Sequence, residues 1–236
     1  MNENDFIKYL KENGIDISEN QLELFKKYSQ YLIEYNQKTN LTSIKTTEEI
    51  YLKHFYDSII MLKYFNLDDE SILDVGSGAG FPGMALKIMR QNIKLTVLDS
   101  NGKKTKFIES LSRYLDIEVE IVNERAEKYI NDKRESFDFV VARAVSALPV
   151  LSELCIPFVK IDGKFIAYKG NKEETKDSMY AIETLGGELT NVYTFELPIE
   201  DSTRSLIEVT KKEKTSLNYP RLYDKIIKKP LQKKTF

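Results

Sequence analysis

Residues 71–83 have the sequence SILDVGSGAGFPG, and this segment is the strongest indication of the fold. It opens with a short apolar run that is typical of a buried parallel strand: Ile72, Leu73 and Val75. Glycines then follow at close spacing, at positions 76, 78, 80 and 83. Because glycine has no Cβ and tolerates positive φ, such a loop lets a ligand approach backbone N–H groups. Pro82 suits the first turn of a helix, so we predict a strand, a ligand-binding loop and a helix N-terminus.

Asp74, near the end of the predicted strand, distinguishes between two classes of ligand. Residues 78–83 match the dinucleotide pattern G-x-G-x-x-G, which by itself is a weak signal. Asp74 lies two residues before Gly76, where we expect the strand to bring its carboxylate to the ligand crevice. A carboxylate there would repel a pyrophosphate, but it suits S-adenosylmethionine (SAM), which carries an ammonium and a sulfonium group. The loop therefore favours SAM over a dinucleotide.

A second strand, at residues 94–99, ends in Asp99, 23 residues after Gly76. This is the spacing at which a carboxylate accepts hydrogen bonds from ribose hydroxyls in a Rossmann-type unit. We therefore count Gly76, Gly78 and Asp99 among the cofactor-binding residues. Together the two strands indicate the nucleotide-binding half of a SAM-dependent methyltransferase, and an NAD-dependent dehydrogenase remains the alternative.

Strands and helices alternate through the rest of the central region. We predict further strands at 119–122, 137–141 and 164–168, with helices at 103–115, 145–159 and 173–185, which indicates a parallel sheet with right-handed crossovers. The last two strands, 189–195 and 205–210, are joined by too short a link to hold a helix, so they should be antiparallel. The predicted fold is α/β: a Rossmann-like class I SAM-dependent methyltransferase, with a seven-stranded, mostly parallel sheet and an antiparallel terminal hairpin.

Residues 1–66 form a predicted N-terminal helical extension, ahead of a methyltransferase domain at 67–210 and a basic tail at 211–236. Residues 1–45 have helical character, with a capping box at Ser18 and Gln21, and a further helix is predicted at 50–65. This helix carries the single histidine, His54, on one face with Asp57 and Ser58. A Ser-His-Asp hydrolase is disfavoured, because three neighbours on one helix cannot converge and no G-x-S-x-G elbow occurs. A polar packing face and a role beside the substrate both remain open.

Charge is distributed unevenly along a chain whose net charge is −2. Residues 211–236 contain nine lysines and arginines and two acids, a net charge of +7, so the remainder carries −9. Such asymmetry is typical of a basic tail that contacts nucleic acid, and a solvated terminus without a partner is the alternative.

Cysteine content and hydropathy indicate a reducing compartment and argue against metal and membrane partners. The single Cys155 excludes an internal disulfide and a cysteine-rich metal site, and it fits a reducing compartment. The chain lacks the basic start of a signal peptide, and no apolar run approaches the ~18 residues of a membrane span. We expect a cytoplasmic monomer without a membrane partner and without a metal.

Several short motifs, spread from residue 40 to residue 231, together resemble one family, the glucose-inhibited division protein B family of bacterial small-subunit ribosomal RNA methyltransferases G. The matching pieces are Asn40-Leu41-Thr42, His54-Phe-Tyr-Asp57-Ser58, Asp74 to Gly83, Leu98-Asp99-Ser100 with Lys103 and Phe107, Arg125-Ala126-Glu127, Arg143-Ala144, Lys169-Gly170, and Tyr219-Pro220-Arg221 with Lys228-Lys229-Pro230-Leu231. The chain departs from the family pattern at Lys104, Asp224 and Ile226, where the family usually has Arg, Gly and Pro.

The resemblance implies methyl transfer from SAM to N7 of one guanine in 16S rRNA, in the loop beside the decoding centre of the small ribosomal subunit. Another RNA or a small molecule is the alternative substrate. The resemblance also implies cofactor contacts at the positions that match the family's: Gly76, Phe81, Ala126, Glu127 and Arg143. On the substrate side the candidates are His54, Asp57, Arg143, Lys169 and Arg221.

Methylation at N7 needs no general base, because this nitrogen presents an unprotonated lone pair near neutral pH. We name no catalytic base, and we expect catalysis by positioning of the nucleophile in line with the methyl group. The chain also lacks the Asn/Asp-Pro-Pro-Tyr/Phe motif of exocyclic-amine methyltransferases. Cys155 lies on an apolar helix face and is expected to be a core residue. A non-catalytic RNA-binding module remains a further alternative.

Overall fold

The computed structural model describes residues 1–143, 146–170, 175–200 and 202–232. Within them, seven strands form one sheet in the order β3-β2-β1-β4-β5-β7-β6. The strands are β1 Ser71–Val75, β2 Lys94–Leu98, β3 Glu120–Val122, β4 Phe137–Arg143, β5 Val159–Lys169, β6 Gly187–Leu197 and β7 Ser202–Lys211. Strands β1 to β5 are parallel, and β7 is antiparallel to both β5 and β6. The predicted fold class, a mostly parallel sheet closed by an antiparallel hairpin, is confirmed.

The helices begin with α1 Glu3–Glu12, α2 Glu19–Thr39 and a composite helix, α3. Helix α3 has four consecutive segments: Thr47–Glu49, the π-helical Ile50–Tyr56, Asp57–Ile59 and the 3₁₀ turn Ile60–Lys63. The later helices are α4 Gly83–Met89, α5 Gly102–Leu115, α6 Ala126–Tyr129, α7 Leu148–Cys155, α8 Thr175–Thr184 and α9 Tyr223–Lys228.

Several predicted bounds differ from the structure. The helical pattern over residues 1–45 is interrupted at residues 13–18, and α2 ends at Thr39, because Asn40 adopts a left-handed C-cap with φ of +53°. Helix α7 begins at Leu148, where Pro149 occupies its first turn; residue 145 of the helix predicted at 145–159 lies outside the described residues. The same holds for residues 173 and 174 of the helix predicted at 173–185.

The N-terminal helices share a hydrophobic core with one face of the sheet. The Ser18 capping box is present, and the Gln21 side chain also donates to the backbone carbonyls of Ile88 and Met89 at the end of α4. An aromatic cluster continues from α1 to the glycine loop: Phe6, Phe25, Tyr28, Phe55 and Phe81. The N-terminal helices therefore support the glycine loop by direct packing of aromatic side chains.

The opposite face of the sheet packs against α6, α7, α8 and the C-terminal segment. Ile226 of α9 is fully buried there, and Leu231 is nearly so. Lys211 is the last residue of β7, not part of a solvated tail. No helix in the described residues is long and apolar enough to cross a membrane.

Candidate functional site

A cleft of about 550 Å³ opens at the carboxyl ends of β1, β2 and β4. Its volume lies within the usual range of small-molecule sites. Its walls come from the glycine loop, the ends of β2 and β4, the start of α6, the loop before α3 and the first residue of α9. All seven residues predicted to bind a cofactor line it: Gly76, Gly78, Phe81, Asp99, Ala126, Glu127 and Arg143. Their role in binding stays a prediction.

The glycine loop is held in left-handed backbone conformations that favour glycine. Gly76, Gly78 and Gly80 have φ angles of +71°, +63° and +94°. The Gly76 N–H donates to the Leu98 carbonyl at 2.7 Å, which ties the loop to the end of β2. A Cβ on Gly80 would lie 2.6 Å from the Tyr28 hydroxyl, which itself donates to the Ala79 carbonyl. Tyr28 of α2 therefore fixes the loop from behind.

Asp74 does not face the cleft, contrary to the sequence interpretation. Its carboxylate is fully buried beneath the loop, where Oδ2 accepts the Gly83 N–H at 2.8 Å. Burial raises the pKa of Asp74 to about 6, and the Gly83 hydrogen bond partly offsets this rise. Asp74 thus joins β1 to the start of α4, and it is not among the residues that line the cleft.

Asp99 lies at the cleft wall directly after β2, as predicted. Its Oδ2 accepts the Gly78 N–H at 3.0 Å and its Oδ1 accepts the Asn101 N–H at 2.8 Å. Lys104 Nζ is 3.7 Å from Oδ2. A carboxylate offers about four lone-pair positions, so these contacts leave acceptor capacity toward the cleft.

The far end of the cleft is built at the start of α6. Ala126 is buried, and the Glu127 side chain is only 5% exposed, with Oε1 4.0 Å from Arg125 Nη1. The Arg125 guanidinium lies 4.6 Å from the ring centroid of Tyr223, which also lines the cleft. Tyr223 was not identified from the sequence, because nothing in the pattern of the tail indicated that α9 folds back to this wall.

Arg143, the last residue of β4, lies opposite the glycine loop and contacts α3. Its Nη1 donates to the Lys53 carbonyl at 2.7 Å and to Asp57 Oδ2 at 3.0 Å. Its Nη2 lies 2.8 Å from His54 Nδ1. The three partners lie within or directly after the π-helical segment of α3, a kind of irregularity that occurs often at functional sites.

His54 is held on three sides in the cleft wall. Its ring stacks on Phe81 with centroids 4.4 Å apart and planes 14° apart, and its Nε2 is 3.2 Å from Thr42 Oγ1. Because a guanidinium can only donate, Nδ1 must accept from Arg143, which leaves the ring proton on Nε2. Burial, together with the Arg143 charge, lowers the pKa of His54 to about 3. His54 is therefore a neutral, hydrogen-bonded side chain.

Thr42 is positioned by the buried side chain of Asn36. The Asn36 amide donates to the Thr42 carbonyl at 2.9 Å, and its Oδ1 accepts the Thr42 N–H at 3.0 Å. The motif at 40–42 thus forms an ordered loop, and Leu41 and Thr42 both line the cleft.

Three of the substrate-side candidates do not line the cleft. Asp57 is buried behind Arg143. Burial raises the pKa of Asp57, and the charges of Arg143 and Arg204 only partly offset this rise. Arg204 of β7, 3.8 Å from Asp57 Oδ1, was not identified from the sequence. Lys169 donates to the Ser146 carbonyl at 2.7 Å.

Arg221 is the third of these residues, and it anchors the C-terminal segment. Its Nε and Nη2 donate to the two carboxylate oxygens of Glu153 at 2.8 and 2.6 Å, and its backbone N–H adds a third bond at 2.9 Å. Glu153 of α7 is fully buried. A side chain used in this way holds α9 in place.

Two residues outside the cleft, Lys211 and Cys155, are both buried. The Lys211 ammonium donates to the Leu185 and Ile156 carbonyls, so this residue adds no charge to an RNA-contacting surface, contrary to its place in the predicted tail. Burial lowers the pKa of Lys211 to about 8.

Cys155 is a free thiol in the core, as predicted, and burial raises its pKa.

Comparison with known structures agrees with the observed architecture. A SAM-dependent methyltransferase from Aquifex aeolicus superposes with a TM-score of 0.54 and 16% identity, over 72% of this chain and 97% of that chain. At this identity the likeness concerns the fold alone.

Comparison with curated sequences is more specific. The chain is 47% identical over 233 residues to the ribosomal RNA small subunit methyltransferase G of Oceanobacillus iheyensis, covering 96% of this chain and 98% of that protein. It is 46% identical over 239 residues to the protein of the same name from Bacillus cereus, covering 99% and 100%. Residues 21–203 match the family model described as GidB, rRNA small subunit methyltransferase G. The chain therefore belongs to the rRNA small subunit methyltransferase G family.

Proposed function

We propose that this protein transfers a methyl group from SAM to N7 of a guanine in 16S rRNA, within the loop beside the decoding centre. The observation that carries the proposal is the 47% identity over nearly the whole chain to a ribosomal RNA small subunit methyltransferase G. The cleft supports it, because a cavity of suitable size coincides with every position at which the family resemblance implies a cofactor contact.

The cofactor is SAM, and the groups around the cleft fit its parts. Asp99 keeps acceptor capacity for ribose hydroxyls, and the backbone at Gly76 and Gly78 allows close approach of the methionine portion. Ala126 and Glu127 would hold the adenine end, at the wall formed by α6. SAM supplies a methyl group made electrophilic by the positively charged sulfur.

The chain's own contribution to the chemistry would be orientation, without proton transfer. Guanine N7 attacks through a free lone pair, so no side chain has to remove a proton first. The neutral His54, whose Nδ1 accepts from Arg143, is not arranged as a base. Phe81, His54 and Arg143 form a stacked and hydrogen-bonded wall that could hold a flat base in line with the methyl group.

We infer that the partner is 16S rRNA within the small ribosomal subunit. The protein would bind it as a cytoplasmic monomer, through exposed basic residues. Three exposed lysines lie on or just after α9: Lys225, Lys228 and Lys229. This surface adjoins the cleft, because Tyr223 of the same helix lines it. Another RNA or a small molecule is the alternative substrate.

The direct test is transfer of labelled methyl groups from SAM to small subunits from a strain that lacks this methyltransferase. We expect label in 16S rRNA with the wild-type protein and none with wild-type protein on subunits that already carry the modification. The proposal would be contradicted if a small molecule became labelled while 16S rRNA stayed unlabelled.

A further inference from the structure

One wall of the cleft comes from a segment that neither the sequence motifs nor the family resemblance assigns to the cofactor site. Tyr223 is the first residue of α9, some 80 residues beyond Arg143 in the chain, and its half-buried ring lines the cleft. Arg125, on the other side of the cleft rim, places its guanidinium 4.6 Å from the centre of this ring. The distance is that of a cation–π contact.

The position of Tyr223 is fixed by contacts on both sides of it in the sequence. Two residues earlier, Arg221 makes two side-chain hydrogen bonds and one backbone hydrogen bond to the buried Glu153. Three residues later, Ile226 is fully buried against the sheet. Glu153 is followed directly by Leu154, which lines the same cleft. Tyr223 is therefore a fixed part of the wall.

The chemistry of this wall suits a flat, uncharged heteroaromatic group. It combines an aromatic ring, a guanidinium plane and the nearly buried carboxylate of Glu127, next to the buried Ala126. Aromatic faces and guanidinium planes both stack on nucleobases. Under the proposed function, this is the end of the cleft that would receive the adenine of SAM.

We propose that Tyr223, held by Arg125, closes the nucleoside end of the cofactor cleft, so that the C-terminal segment supplies part of the cofactor site. This inference rests on the proposed use of SAM. Tyr223 acts by ring contact, and its hydroxyl is not required. The tail thus has a role beyond contact with RNA: it completes the site for the methyl donor.

The test is calorimetric titration of the full-length protein with S-adenosylhomocysteine, which needs neither RNA nor turnover. Tyr223→Ala should weaken binding by about three- to tenfold, and Tyr223→Phe should stay within about twofold of wild type, since the ring is kept. The matched control is Leu222→Ala, because Leu222 is the neighbouring residue, is 64% exposed and does not line the cleft. This control should bind like the wild type.

Three further variants keep the result interpretable if Tyr223→Ala folds poorly. Tyr223→Leu keeps apolar volume against the core but removes the aromatic face, so it should also bind more weakly, with an unchanged melting temperature of the free protein. Arg125→Ala should weaken binding as well. The double variant Arg125→Ala/Tyr223→Ala should bind only slightly more weakly than Tyr223→Ala, because the two side chains act as one unit.

Wild-type affinity in Tyr223→Leu, or in a folded Tyr223→Ala, would overturn the inference while leaving the proposed function intact. Failure of the wild-type protein to bind S-adenosylhomocysteine would overturn both. Methyl transfer to small subunits, measured on the same preparations, separates these cases, since a protein with the proposed function transfers label whatever the role of Tyr223.

Discussion

At the scale of single residues, the two strand-end aspartates have different roles. Asp74 is buried under the glycine loop and fixes the start of α4, whereas Asp99 lies at the cleft wall and keeps acceptor capacity. The difference comes from the path of the loop, which turns back over β1 and brings the Gly83 N–H onto Asp74. Only Asp99 is placed to accept hydroxyl groups from a ligand.

Asp99→Asn should weaken SAM binding on the order of tenfold, since a hydrogen bond to a charged acceptor is worth about 1.5–3 kcal/mol. Asparagine is preferable to alanine, because it can still accept one of the N–H groups of Gly78 and Asn101. Asp116→Asn is the matched control: Asp116 is an exposed C-cap with φ of +54°, which asparagine tolerates. An unchanged dissociation constant in Asp99→Asn would refute the assignment.

His54 leads to a prediction about pH. Because its pKa lies near 3, the imidazole stays neutral from pH 6.5 upward, and its protonation state does not change through the neutral range. The single-turnover methylation rate should therefore be nearly flat from about pH 6.5 to 8.5, without the limb that an essential base produces. His54→Asn, whose Oδ1 can replace Nδ1 as acceptor for Arg143, should lower the rate less than His54→Ala and keep the flat profile.

A rate that rises steeply through the histidine range, and loses this rise in His54→Asn, would identify His54 as a base. It would also count against N7 as the acceptor atom, because an N7 lone pair needs no base.

At the scale of elements, the C-terminal segment is an integral part of the fold. Ile226 is buried, Lys211 lies in β7 and Arg221 binds Glu153, so truncation after Thr210 would remove core packing as well as charge. A comparison of truncated and full-length protein therefore cannot isolate the interaction with RNA. Point substitutions on the exposed face of the segment can do so.

The contribution of the Arg221–Glu153 ion pair to stability can be measured by substitution. Arg221→Ala should lower the free energy of unfolding by about 3–5 kcal/mol, because it leaves the buried Glu153 carboxylate without its charged partner. Arg221→Ala/Glu153→Gln should recover part of this stability, since an uncharged amide costs less to bury. Urea denaturation measures both. A decrease below about 1 kcal/mol in Arg221→Ala would mean that the pair resembles an ordinary surface ion pair.

The exposed lysines of α9 and the residue after it give a second test. Replacing Lys225, Lys228 and Lys229 with glutamine should weaken RNA binding and reduce the slope of log K against log salt by about 0.7–0.9 for each phosphate that the protein no longer neutralises. A matched control replaces three exposed lysines of α1 and α2, which contribute no cleft residue: Lys8, Lys11 and Lys26. Equal slopes for the two triple variants would leave α9 without a specific role in RNA binding.

At the scale of the whole molecule, the topology was predictable because it follows from local rules. Alternating strands and helices require parallel pairing, and the short link around Pro198 requires an antiparallel final pair. The glycine loop and Asp99 were found for the same reason, since they lie close together in sequence. The residues that were missed come from distant segments: Tyr28, Arg204 and Tyr223 reach the site or its support only through tertiary packing.

The atom that receives the methyl group distinguishes N7 methylation from other methylation of rRNA, and it can be identified directly. Small subunits lacking the modification are incubated with the protein and SAM labelled in the methyl group, and the labelled nucleoside in 16S rRNA is identified and mapped. We expect a single 7-methylguanosine in the loop beside the decoding centre. Label on an exocyclic amine, on a pyrimidine carbon or on a ribose, or in any other RNA, would contradict it.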